Sequence, residues 1–271
     1  MGCANYHAWL IFNDGTKWIV RIPRTGFSDA PLELVEYLVK SEYATLKFLE
    51  GTNVPAPRLF GYGLAFDPSN RVGVGYILME ALPGRPCHAH ETNDEQKEKV
   101  LGQVADIMIE ISKHPFDSRG SLLTASEYMT KIVDSYLDSI SDGQIHHSYP
   151  RAAYLFYNLL RQNINNLTQP RSKISPQLQT KFYLKHPDDK GDHILIDEEY
   201  NITGLIDWQI ARVVPAVEAF GQGYLTADMG NLYSSKTGIT GDDRVLASSL
   251  RGRGNEGLAG FMEGREIMRR V

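Results

Sequence analysis

The chain has 271 residues, enough for one large domain or two small lobes sharing a cleft. Hydrophobic residues make up 42% and charged residues 23%, and no stretch approaches the roughly 18 apolar residues of a membrane span, so no membrane partner is expected. The net charge is −5 and no Lys/Arg block exceeds a pair, which argues against a nucleic-acid footprint.

Residues 7–22 are predicted to form a hairpin. "HAWLIF" and "KWIVRI" are apolar and β-prone, and Asp14-Gly15 between them is a strong turn signal. A helix is predicted over 31–50, with Pro31 in its first turn and Gly51 just past its end. After the break "VPAP", the segments "RLFGYGLA" and "VGVGYILME" read as strands separated by the turn "DPSN". "ALPG" reads as a short linker near residue 83. Helices are then predicted over about 93–113, 123–141 and 150–166, and short strands over 181–186, 193–197 and 202–207. The remainder, from about 209, reads as helices and loops. The fold class is therefore α+β in two lobes: an N-terminal lobe over 1–82, with an antiparallel sheet and one helix, and a mainly helical lobe over 83–271 carrying a β-hairpin.

The first twenty residues include Asn13 and Asp14 and no long apolar run, so no signal peptide is expected. Two cysteines, Cys3 and Cys87, make no disulfide framework, and a reducing, cytoplasmic compartment is the expectation. Cys87, His88 and His90 lack a second ligand pair at finger-like spacing, so a solvated connector is the simpler reading than zinc. Asp134, Asp138 and Asp142 recur four residues apart on one helix face, either a solvated face or a surface for a cationic substrate.

The chemistry concentrates in "KHPDDKGDHILID", Lys185 to Asp197. "HILID" and "ITGLID" form an antiparallel hairpin, so the residues just before the first strand meet those just after the second. Asp188, Asp189 and Asp192 are thereby expected to converge on Asp207. Carboxylates that close need a cation, and a divalent metal carrying polyphosphate is the economical answer. A solvated acidic loop is the alternative, against which Asp207 argues by its place between an apolar strand and Trp208. In the helix over 31–50, Val35, Leu38, Val39, Leu46 and Leu49 define an apolar stripe, and Glu42 falls within it. A carboxylate there needs a partner, and Arg21 of the neighbouring strand is the candidate.

A basic strand residue, a helix glutamate, a linker, His-x-Asp and an aspartate after a hairpin succeed one another in the order of a kinase. "HPDDKGDHILID" and "GLIDWQIA" resemble the "HGDLHPGNILVD" and "IDWE" motifs of the aminoglycoside phosphotransferase/choline kinase-like family. "WIVRIPR", "VPAPRLFGYG", "YILMEALPG" and "HPFDSRGSL" add a resemblance to its fungal branch of unassigned substrate, collinear over about residues 2 to 220.

The resemblance implies a protein-kinase-like fold with ATP and Mg²⁺ in its cleft, acting as a monomer on the hydroxyl of an unidentified small molecule. Asp188 would be the catalytic base, with His186 bracing its loop. Asp207 would be the principal Mg²⁺ ligand. Arg21 would take the phosphate-binding lysine position, with Glu42 as its ion-pair partner. Backbone groups of Met79, Glu80, Ala81 and Leu82 would bind adenine. His193 stands where the family has a metal-binding Asn, and adjacent Asp192 is expected to supply the missing oxygen while His193 packs beside it. Gln209 stands where a Glu usually follows Asp-Trp, which weakens a loop anchor. The family's first strand is expected to be missing, from either a gene truncated at both ends or a reduced nucleotide lid. The competing expectation is a catalytically inactive kinase-fold protein that binds a nucleotide or a partner.

Overall fold

The computed structural model describes residues 5–24, 31–88, 91–119, 124–145, 148–168, 174–186, 190–234 and 238–264. These divide into two compact units, one of residues 1–111 and 186–212, the other of residues 112–185 and 213–271. The linker expected near residue 83 lies inside the first unit.

The first unit opens with the predicted hairpin, strands β1 (Asn5–Ile11) and β2 (Lys17–Pro23). Its turn is set by Asp14-Gly15. Gly15 takes a φ of +85°, which a side chain would disfavour, and Asp14 Oδ1 accepts from the Thr16 N–H at 2.9 Å. Helix α1 (Leu32–Leu49) comes next, then β3 (Leu59–Gly63) and β4 (Tyr76–Glu80). The sheet order is β1-β2-β4-β3, so β2 is an inner strand and Arg21 sits between His7 and Ile77 in register. Helix α1 lies against β3 and β4. It buries Val39, Glu42, Leu46 and Leu49, one stripe at helical spacing in which a single member is charged. Each buried aliphatic side chain of that stripe contributes about 1.5–3 kcal/mol.

The unit continues through β5 (Arg85–Pro86) and α2 (Asp94–Ser112), and regains the chain at β7 (Ile194–Ile196) and β8 (Ile202–Leu205). The predicted hairpin is present, but it is the larger part of a three-stranded sheet, β5-β7-β8. The linker supplies its third strand, with Arg85 opposite Ile196 and Pro86 opposite Leu195. Two glycines allow this docking. A Cβ on Gly84, whose φ is +110°, would meet Thr203 Oγ1 at 2.4 Å and the Ile196 carbonyl at 2.8 Å. A Cβ on Gly204 would overlap the Leu82 side chain at 2.3 Å. Helix α2 holds the hairpin's other edge through Gln103. Its Oε1 accepts from the Ile202 N–H at 2.7 Å and its Nε2 donates to the Tyr200 carbonyl at 2.9 Å.

The second unit contains α3 (Ala125–Ser141) and α4 (Pro150–Thr168), packed on each other around Tyr128, Met129, Val133, Leu137, Leu160 and Ile164. Thr124 and Glu127 close a capping box at the start of α3, satisfying donors that the helix leaves unpaired. Asp134 accepts from Arg161 Nε at 2.5 Å, tying α3 to α4. The short helix α5 (Pro176–Gln179) precedes β6 (Phe182–Lys185), which pairs with β9 (Arg212–Pro215). Strand β9 was not expected: the sequence after 209 reads as helices and loops, and four residues are too few for a strand period to register. The helices α6 (Ala216–Ala219), α7 (Met229–Tyr233), α8 (Gly241–Gly252) and α9 (Glu256–Met262) complete the unit. Among the described residues no helix is long and apolar enough to cross a membrane.

Candidate active site

All the described candidate residues lie in the first unit, and Glu42 and Asp207 meet at Arg21. Arg21 is the buried cation of β2, 7% exposed, and Glu42 on α1 is 3% exposed. Arg21 Nη1 donates to Glu42 Oε1. Arg21 Nη2 donates to Asp207 Oδ1 and to Gln209 Oε1, each at 2.7 Å. One planar guanidinium thus joins the sheet, the helix and the loop after β8. A lysine ammonium, being a single point, would not span the same three acceptors with fixed geometry.

Asn5, buried at the start of β1, completes the enclosure. Its side-chain amide lies 3.1 Å from Gln209 Oε1, 2.8 Å from Arg21 Nη2 and 3.1 Å from Arg21 Nε. Neither Asn5 nor Gln209 was expected to touch Arg21. Both are uncharged side chains outside any apolar stripe, and only the fold shows what they face.

Asp207 has a φ of +65°, a left-handed conformation that aspartate tolerates better than most residues. It is locked from behind by Trp208, which is 1% exposed and donates its indole N–H to the Leu205 carbonyl at 2.9 Å. Burial pushes the Asp207 carboxyl up, but Arg21, by charge and by hydrogen bond, holds it below the usual carboxylate range, with His193 and His186 adding to the effect. The side chain is therefore an ionised carboxylate at neutral pH, and it is 39% exposed.

The two ends of the hairpin meet. The Ile206 N–H donates to the His193 carbonyl at 2.9 Å, and His193 Nε2 lies 3.5 Å from Asp207 Oδ2. Asp192 is exposed, and the side chain turned toward Asp207 is that of His193. His186 Nε2 is 2.8 Å from the Ile206 carbonyl, and its ring meets Trp208 edge to face at 4.9 Å. Asp188 lies outside the described residues. In the expected adenine segment, the Glu80 N–H donates to Arg58 O at 2.9 Å and the Ala81 N–H to Lys17 O at 3.3 Å. Met79 is buried in β4, and Leu82 packs over Gly204.

Among the described residues no three His, Cys, Asp or Glu side chains gather to hold a metal. Mg²⁺ does not need such a group. It keeps several waters and binds through one or two carboxylates together with substrate phosphates. An ionised, partly exposed Asp207 beside a guanidinium fits that donor set.

A profile of the phosphotransferase enzyme family matches residues 2–264. The chain belongs to that family. Solved structures agree on the fold. The macrolide 2′-phosphotransferase of Brachybacterium faecium is 15% identical, with a TM-score of 0.56 over 97% of this chain and 79% of that one. The ethanolamine kinase of Plasmodium vivax is 11% identical, with a TM-score of 0.58 over 95% of this chain and 68% of that one. An aminoglycoside 2′-phosphotransferase in its GDP complex is 15% identical, with a TM-score of 0.54 over 97% and 76% of the two chains. A comparison with curated proteins finds no match. The chain is thus an α+β phosphotransferase-family protein with the protein-kinase-like fold.

Within this family member Glu42 has a consequence for stability. Burial pushes its carboxyl up to about 7, with Arg21 opposing the shift. A carboxyl raised in the folded state stabilises the fold at low pH, and that contribution is lost as pH rises through the folded pKa. The unfolding free energy of the wild type relative to Glu42→Gln is therefore expected to fall between about pH 5 and pH 8, by up to about 3 kcal/mol. Urea titrations of both proteins across that range check it. A difference that grows with pH would mean that Arg21, not burial, governs Glu42.

Proposed function

We propose that this chain transfers the terminal phosphoryl group of ATP to a hydroxyl of a small molecule. The observation that carries the reading is the junction at Arg21, where one buried guanidinium touches both Glu42 and Asp207 in a member of the phosphotransferase family. In this reading Arg21 binds phosphate oxygens and Glu42 keeps it aimed. Asp207 holds Mg²⁺ with water and phosphate oxygens, and Asp192, adjacent to His193, is the further carboxylate for it. The metal, when bound, neutralises charge that builds on the phosphates. Asp188 accepts the proton of the acceptor hydroxyl and orients it, and His186 fixes the start of that loop through Ile206. Backbone groups of 79–82 receive the adenine.

The acceptor classes to try first are those in the names of the fold's neighbours: macrolides, aminoglycosides and amino alcohols. The GDP in one neighbour makes GTP the donor to compare with ATP. A second reading, a nucleotide- or partner-binding protein without turnover, is favoured by one observation. An imidazole, which suits softer metals, faces Asp207 where the family resemblance implies an amide oxygen.

Thermal unfolding with and without Mg²⁺ and nucleotide tests the first step. A nucleotide at about 100 times its Kd should stabilise the protein by about 2.7 kcal/mol. Product ADP released only with an acceptor present then establishes transfer. Stabilisation without ADP release under any acceptor selects the second reading, and no stabilisation by either nucleotide overturns both nucleotide readings.

A further inference from the structure

We propose that Gln209 is a positioning residue for Arg21, holding the guanidinium in place when Asp207 turns to the metal of a bound nucleotide. This rests on the nucleotide reading above. Arg21 Nη2 carries two hydrogens. It faces Asp207 Oδ1 and Gln209 Oε1, each at 2.7 Å. If Asp207 leaves, Gln209 Oε1 still holds one of the two hydrogens and the other can meet a phosphate oxygen. Asp207 is the one with another task. It is the ionised member of the two and the more exposed partner of the ion pair, 39% against 8% for the Arg21 side chain. A cation competing for its oxygens would draw it from Nη2, and Gln209 would then keep the guanidinium plane fixed between β2 and α1.

Gln209 also suits the role by being neutral. Arg21 already faces Glu42 and Asp207. With Asp207 on a metal, a neutral acceptor at Nη2 would leave positive charge for phosphate while still holding a buried N–H. Trp208 ties Gln209 to the same rigid turn, since its indole is anchored on Leu205.

Gln209→Leu keeps similar bulk and removes the acceptor. It is expected to weaken binding of Mg–ATP about tenfold, the cost of one hydrogen bond lost by a buried charged donor. Binding of ATP in excess EDTA should change less than about threefold, because Asp207 then still holds Nη2. Gln209→Glu, which restores an acceptor oxygen, should recover most of the loss. In an Arg21→Met background the leucine substitution should have no effect on either titration.

A cycle on the unliganded protein separates this idea from the nucleotide reading. The denaturant stabilities of Gln209→Leu, Arg21→Met and the double variant should be non-additive, by about 2- to 150-fold in the folding equilibrium constant. If no nucleotide binds the wild type, the nucleotide reading fails, and the cycle still decides whether Gln209 positions Arg21. Additivity in that cycle overturns the proposal, as does an equal loss with and without Mg²⁺.

Discussion

Asp207→Ala is expected to weaken binding of the Mg–nucleotide complex on the order of 10²-fold, the worth of a metal's charge stabilisation, and to change binding of metal-free nucleotide far less. The carboxylate is the one ionised group of the described site that is both part-exposed and joined to Arg21. Its oxygens suit a hard cation, whereas the bare phosphates of a metal-free nucleotide would be repelled by its charge. Two further effects accompany the substitution. Alanine at a φ of +65° costs about 1–2 kcal/mol, because its Cβ crowds the backbone there. Arg21 Nη2 also loses one acceptor, although Gln209 remains. Asp207→Asn separates these effects from the metal's. Asparagine tolerates the left-handed backbone and keeps an oxygen for Arg21, but it lacks the charge. If alanine weakens both titrations equally while asparagine weakens neither, the residue supports the turn and holds no metal.

How much of this was legible in the sequence depended on whether a residue broke a pattern. Glu42 stands in a stripe of aliphatic side chains, and a charge there demands a partner, so its contact with Arg21 could be named from spacing alone. The hairpin of β7 and β8 was legible for the same kind of reason, two apolar runs joined by a polar turn. It brought His193 and Asp207 together across the ends. The features that escaped were short or neutral. Strand β5 is two residues long and exists because Gly84 and Gly204 let the linker lie on the hairpin, a tertiary fact with no local period. Strand β9 is four residues long and is paired only through β6. Asn5 and Gln209 carry no charge to explain, so their contact with the guanidinium comes from the fold. Gln209 was legible as a departure from the family's usual glutamate, but only the distance to Arg21 gives the departure a use.

Asp188→Asn is expected to lower turnover by roughly 10²–10⁴-fold and to leave Mg–nucleotide binding within about threefold, once an acceptor is in hand. The motif resemblance gives Asp188 the task of taking the acceptor's proton, a task that begins only when the hydroxyl attacks. Asparagine can still position a hydroxyl through its oxygen, but it cannot accept the proton at neutral pH. The interactions that bind nucleotide in this reading lie elsewhere, at Arg21, Asp207 and the 79–82 segment, so affinity for the donor should survive. The flanks of the loop are held by contacts of their own. His186 is braced on Ile206, and Gly191 caps the entry to β7 by accepting from the Ile194 N–H at 3.0 Å. The chain on either side of Asp188 thus carries its own anchors. A kcat that falls while the acceptor KM and the nucleotide Kd stay put is the signature of an interaction made only in the transition state. Near-wild-type kcat in Asp188→Asn would remove the base assignment and leave Asp189, its neighbour in the same run, as the carboxylate to test.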